Sequence, residues 1–251
     1  MKTQIMQSLK IKMFGVLFGF CALGFVFWPL LANASVLARP PNNLGLVGYW
    51  SFNEGTSTIA TDFSGNGNRG VLTNIANPPT ATSGWTNGKL GKALNFDGVN
   101  DYVDGQSGSS LDNLVPLTAS LWIYPYSEGG GGEGRLIGKV ASAAAGWNVR
   151  FCITCTNAIE LLGGFATTNL VRTMSNNLIT LNTWQHILVT WDGSSNASNA
   201  NIYVNGVEVS YQTTTNGAGG KNNDNTQNLF IGTNFDAAKT FNGLIDEVRI
   251  Y

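Results

Sequence analysis

Between residues 44 and 251 no segment of helical length keeps an apolar period of 3.6 residues, because glycines interrupt every candidate. Short runs of β-branched, aliphatic and aromatic residues recur instead, each closed by Gly, Asn, Asp or Ser. The longer ones lie at 46–52, 118–123, 135–139, 147–152, 158–165, 185–191, 200–204, 229–233 and 243–250, with shorter ones at 70–72, 93–96, 102–103, 171–174 and 207–211. Asn205-Gly206 separates Ile202-Tyr203-Val204 from Val207-Glu208-Val209, a pairing that predicts a tight hairpin turn. Many short strands at close spacing predict an all-β domain of two antiparallel sheets packed face to face.

The N-terminus follows other rules. Lys2, Lys10 and Lys12 precede a nearly unbroken apolar run over 13–31, and Ala32-Asn33-Ala34 supplies small residues for cleavage before Ser35. Residues 1–34 therefore read as an export signal, with an uncleaved membrane anchor as the alternative. Cys21 lacks the small residues before it that a lipoprotein signal needs. Residues 35–43, with Arg39-Pro40-Pro41-Asn42-Asn43, read as a linker, and 44–251 as one domain. Cleavage leaves 217 of the 251 residues; the three signal lysines go and no acid does, so 11 Lys+Arg face 15 Asp+Glu. A net charge of −4 argues against nucleic acid or an anionic membrane as partner. Secretion or a cell-surface location is expected, with no stable membrane insertion after cleavage.

Cys152 and Cys155 remain after cleavage. A short disulfide stapling a turn is the simple expectation in an oxidising compartment, with free thiols or a metal or redox role as alternatives. The segment Gly243-Leu244-Ile245-Asp246-Glu247-Val248-Arg249-Ile250-Tyr251 concentrates charge that is scarce elsewhere. It reads as a closing strand with an acidic pair, expected to lie near the strand around Trp50. Trp50, Phe52, Phe96, Trp122, Trp184 and Trp191 fall at strand positions and are expected in the core. The loops 127–134 and 213–227 are long and rich in Gly or Asn, hence mobile or functional.

Four blocks, taken in order, resemble a known family. They are 46–55 (Leu46-Val47-Gly48-Tyr49-Trp50-Ser51-Phe52-Asn53-Glu54-Gly55), 62–70 (Asp62-Phe63-Ser64-Gly65-Asn66-Gly67-Asn68-Arg69-Gly70), 88–103 and the closing 243–251. With Trp184-Gln185-His186-Ile187 and Tyr203-Val204-Asn205-Gly206 between them, the chain resembles a laminin-G-like jelly roll of the concanavalin A-like lectin/glucanase superfamily. The resemblance implies a jelly-roll β-sandwich and a secreted module that binds glycans, proteins or surfaces, frequently with calcium. In glucanases of this fold an acid of the last strand reaches an ion held by N-terminal backbone carbonyls, and Asp246 matches that acid. Calcium takes six to eight oxygens. A structural ion is accordingly expected at Asp62, Asp246 and the turn Asn66-Gly67-Asn68, with Glu54 a weaker ligand. The opposing expectation is an Asx turn at Asp62 and an Asp246 that caps backbone groups.

A second acidic group is Asp97, Asn100, Asp101 and Asp104. His186, the single histidine, has no partner set for catalysis. Hydrolysis of a glycoside needs two opposed carboxyls, and no strand carries the alternating acids of the family's glucanases. Glu128 and Glu133 sit in the glycine-rich loop. The chain therefore reads as a non-catalytic module for a glycan, or, as the alternative, for a surface protein in adhesion. Tyr124, Tyr126, Trp147 and Tyr211 are the candidate surface aromatics.

Overall fold

The computed structural model describes residues 45–140, 146–234 and 238–251. The expected export signal, the linker and residue 44 lie outside the described residues. The strands are β1 (Gly48–Trp50), β2 (Ile59–Ala60), β3 (Gly70–Thr73), β4 (Gly84–Asn87), β5 (Lys92–Asp97), β6 (Tyr102–Gln106), β7 (Leu117–Pro125), β8 (Arg135–Lys139) and β9 (Trp147–Phe151). They continue as β10 (Ile159–Gly163), β11 (Leu170–Met174), β12 (Gln185–Trp191), β13 (Ala200–Val204), β14 (Val207–Glu208), β15 (Tyr211–Thr215), β16 (Leu229–Ile231) and β17 (Asn242–Ile250). Short 3-10 turns at Ser109–Leu111, Gly130–Gly132 and Ala197–Asn199 are the only helical elements among the described residues. No described helix is long and apolar enough to cross a membrane.

Two antiparallel sheets form. Sheet A has the order β14-β13-β12-β7-β17-β5-β4, with β1 also on β17, and sheet B the order β15-β11-β10-β9-β8-β16-β6-β3-β2. This is a jelly-roll sandwich. The alternation along each strand sets the two faces. In β7, Leu117, Ala119, Leu121 and Ile123 enter the core. Ile187, Val189 and Trp191 of β12 do the same, as do Val149 and Phe151 of β9. Trp50, Phe52, Phe96 and Trp191 are fully buried there, as expected.

The closing strand is central rather than peripheral. β17 pairs with β7 on one side and with both β5 and β1 on the other, Trp50 standing opposite Val248. Its register against β7 shifts between Asp246 and Arg249. Glu247 takes a positive φ of 56° there, a left-handed conformation that inserts one residue and re-aims the strand. The alternation expected from the sequence resumes beyond it, with Val248 and Ile250 inside.

Three loops take definite forms. Asn205 (φ 51°) and Gly206 (φ 82°) make the tight turn between β13 and β14. Cys152 and Cys155 are joined in a disulfide that closes the turn after β9, where the Cys155 amide donates to the Cys152 carbonyl. The 213–227 loop begins as β15, and its remainder is anchored. Ala218 donates to Thr168 and Asn222 to Gly164 through their amides. Asp224 accepts the Asn113 amide at 2.7 Å beside the fully buried Lys139, which also pairs with Asp112.

Candidate functional site

The block 62–70 folds as a self-contained loop. Asp62 Oδ1 accepts the amides of Tyr49 (3.0 Å) and Ser64 (2.8 Å). Its Oδ2 accepts the Ser64 hydroxyl and the Asn68 amide, both at 2.8 Å. A carboxylate has about four acceptor positions, and four protein donors occupy them. Asn66 and Asn68 turn their amide groups to the Val47 carbonyl, and the Asn68 carbonyl receives the Trp50 indole at 2.8 Å. Gly67, at φ 78°, makes the tight bend. Glu54 accepts the Thr61 amide at 2.6 Å. This is the Asx-turn arrangement, and it ties the N-terminal strand to the loop. The donor-filled Asp62 does not fit a calcium ligand.

Asp246 serves a different turn. It lies opposite Trp122 on β17 and is fully buried. Its Oδ2 accepts the Leu90 amide at 2.9 Å, and Gly88 passes so close that a Cβ there would stand 2.6 Å from that oxygen. The turn between β4 and β5 is thus folded down onto Asp246. Burial, with a further push from Glu247, raises its carboxyl to about 6. Among the described residues no three His, Cys, Asp or Glu side chains converge as a metal group.

The outer face of sheet A gathers what the sequence scattered. Residues paired across strands share a face, so the register gives two rows. His186, Trp122 and Asp246 form one; Leu188, Ser120, Arg249 and Tyr49 form the other. Trp122 and Trp184 are half-buried on this outer side, not in the core as expected. Leu121 and Ile123 already point inward, so Trp122 between them must point out. The Trp122 ring lies 5.3 Å from the His186 ring, with the exposed Lys89 ammonium 4.7 Å above its centroid. Arg249 stacks on Tyr49 at 4.2 Å and pairs with Glu247, which also accepts the Tyr49 hydroxyl at 2.9 Å. Tyr124 meets Tyr126 and Trp184 edge-on, both at 5.7 Å. Burial, then the Arg249 charge, holds His186 below its ordinary pKa, so it is neutral at pH 7.

Two expected surface aromatics lie elsewhere. Trp147 is buried in the core, because its phase on β9 matches Val149 and Phe151. Tyr211 is half-buried under Arg172, whose guanidinium stands 3.4 Å from the ring, and its hydroxyl lies on the Ile202 amide and Glu208.

The outer face of sheet B is a charged lattice. Arg150 pairs with Glu133 and, at 2.7 Å, with Glu160, which accepts the Thr173 hydroxyl at 2.9 Å. Glu133 also meets Arg135 and Lys239 at 3.3 Å, and Arg135 reaches Asn148 at 2.7 Å. Glu133 is therefore a buried, paired acid rather than part of a loose loop. Glu128 accepts the Asn157 amide, which fastens the glycine-rich loop from its other end.

Comparison with curated proteins finds no match. Among solved structures, domain 4 of an extracellular arabinanase from Geobacillus stearothermophilus, in complex with arabinotriose, is similar at 24% identity. The match covers 82% of this chain and 91% of that one, with a TM-score of 0.49. The binding domain of botulinum neurotoxin serotype C1 is similar at 12% identity and TM-score 0.56, over 83% of this chain and 49% of that one. A botulinum type C structure concerned with interaction with two ganglioside molecules gives 14% identity and TM-score 0.51, over 83% of this chain and 48% of that one. This chain spans about half the length of those toxin chains. A family model matches residues 97–251, well over half of the chain. The two-sheet sandwich agrees with this match: the chain belongs to the laminin-G branch of the concanavalin A-like lectin/glucanase superfamily.

Proposed function

We propose that this protein is an exported, non-catalytic carbohydrate-binding module, and that the glycan lies on the outer face of sheet A. The observation that carries the reading is the concentration there of partly open aromatic rings among fixed polar groups. Trp122, Tyr124 and Trp184 offer ring surface, with neutral His186, Ser120, Lys89 and Arg249 around them. A sugar presents an apolar C–H face and a rim of hydroxyls. Recognition needs ring surface for the first and pre-oriented donors and acceptors for the second. Lys89 and Arg249 are held over aromatic rings, which reduces the ordering cost of engaging a hydroxyl.

Support for a non-catalytic role comes from the acids. Glycoside hydrolysis needs one carboxyl able to give a proton and another facing it across the sugar. Glu133 and Glu160 both spend their charge on Arg150, Glu247 is bonded to Arg249 and Tyr49, and Asp246 is buried under the β4–β5 turn. A glycan array followed by titration calorimetry tests the proposal. Glycan binding that Trp122→Ala weakens about tenfold, the value of one good aromatic contact, is expected. Silence on glycans with binding to a surface protein would favour the adhesion reading, and release of sugar by the purified domain would refute the non-catalytic one.

A further inference from the structure

A lysine that points into a sandwich gives up the water around its charge. β8 carries Ile137 inward and Lys139 in the same phase, opposite the buried Trp147 of β9. The Lys139 side chain is fully buried, and carboxylates from two separate loops converge on its Nζ. Asp112, which follows the 3-10 turn before β7, bonds Nζ and keeps 23% of its side chain exposed. Asp224, from the loop before β16, is fully buried, with Oδ1 3.6 Å from the same Nζ. Such a buried ion pair contributes little net stability, because the cost of taking both charges out of water offsets their attraction.

The two acids are held differently. Asn113, in left-handed backbone at φ 50°, grips Asp224 twice. Its amide donates to Asp224 Oδ1 at 2.7 Å, and its own Oδ1 accepts the Asp224 amide at 3.1 Å. Gly146, just before β9, passes close on another side: a Cβ there would stand 3.1 Å from the Asp224 Cβ. Asp224 Oδ2 is buried without a partner. One ammonium between two carboxylates leaves a surplus negative charge, and one buried oxygen lacks a donor. An amine, a carboxyl whose one oxygen already has its donor, and a second carboxylate on the amine are the parts of an acyl transfer.

We propose that Lys139 and Asp224 condense to an intramolecular amide, with Asp112 as the proton-transfer group. Asp112 carries one proton from Nζ to Asp224 Oδ2, which sets a neutral amine against a neutral carboxyl. Nζ attacks Cγ, and the charge developing on Oδ1 meets the Asn113 amide already in place. Asp112 carries a second proton from Nζ to Oδ2, the Cγ–Oδ2 bond breaks, and water leaves. A C–N bond replaces a C–O bond, both hydrogens of the water come from the ammonium, and no oxidation occurs. Groups fixed in contact condense far more readily than the same groups free in solution. The product removes both faults. A positive and a negative charge vanish together, the unpartnered oxygen departs, the new N–H donates to Asp112, and the remaining charge sits on the acid that reaches water. The bond clamps the loop before β16 to β8, and it is independent of the glycan reading.

Mass spectrometry of the intact, denatured protein, followed by tryptic mapping after reduction, is the test. The purified protein is expected one water lighter than its sequence and disulfide require. Its digest should contain a branched peptide joining Lys139 to Asp224, with no cleavage after Lys139. Lys139→Met and Asp224→Ala each abolish the water deficit, and Asp112→Asn abolishes it while leaving both reacting side chains in place. A wild-type protein of full mass overturns the proposal, as does a water loss that survives Lys139→Met, which would mark dehydration elsewhere in the chain. A branch at Asp112 rather than Asp224 overturns the assignment of the acylating residue, and an undiminished cross-link in Asp112→Asn overturns the proton-transfer role. The wild-type mass and map decide by themselves if a variant does not fold.

Discussion

The two outer faces of the sandwich solve opposite problems with similar residues. On sheet B, Glu133, Arg150, Glu160 and Thr173 are nearly buried, and each charge meets an opposite one. On sheet A the acids Asp246 and Glu247 are sunk below the surface, while half-buried rings and two stacked cations stand above them. A face whose polar groups are mutually satisfied has little to offer a partner beyond stability. One with ring surface open and charges held ready has unspent interaction energy. The proposed glycan face rests on this contrast.

Arg150→Met gives the largest expected effect, because it leaves the buried Glu160 without its cation and takes one of three from Glu133. Breaking such a pair costs about 3–5 kcal/mol, which lowers Tm on the order of 10 °C; calorimetric melting measures it. Glycan affinity of the protein that remains folded is unchanged, and a parallel loss of binding would erase the distinction between the faces. Trp122→Ala on sheet A does the reverse: affinity falls about tenfold while Tm moves by only a few degrees, read by calorimetry and thermal melting of the same sample.

A subtler probe is pH. Asp246 has a folded-state pKa near 6, above its ordinary 3.8. The folded form therefore holds its proton more tightly between those values, so this group contributes stability below about pH 4 that is lost as pH rises through about 6. Melting curves from pH 4.5 to 7 should show a downward component that Asp246→Asn removes; an identical slope in the variant would show that Asp246 is not its source. The smallest effect is expected from Tyr126→Ala at the exposed edge of the aromatic group. Its affinity falls about two- to threefold, since a rim ring is only partly desolvated.

Much of this frame was legible in the sequence, for identifiable reasons. The runs at 135–139, 185–191 and 200–204 coincide with β8, β12 and β13 because their alternation is regular and their ends carry turn formers. β2 and β4 escaped notice. Ile59–Ala60 is too short for any period, and Gly84–Asn87 carries only one large apolar residue. Trp122 and Trp184 were assigned to the core because aromatic residues at strand positions usually belong there. The parity of Leu121 and Ile123 against Trp122 held the opposite signal. Glu247 was out of reach, since a single left-handed residue leaves no periodic trace. The partners of Asp62 and Asp101 were also out of reach. Both acids sit in similar turns, and only the tertiary structure shows four donors around one and an orphaned oxygen on the other.

The position of β17 has a kinetic consequence. The segment Asn242–Ile250 joins β7 to β5 and β1, so these three strands have no common neighbour until it arrives. A nascent chain emerging N-terminus first can close local hairpins such as β4–β5 and β12–β13, but sheet A cannot be completed while 242–250 is still withheld. Pairings this distant in sequence fold slowly. Sheet A thereby stays open until 242–250 is available, and the timing of its closure is written into strand order.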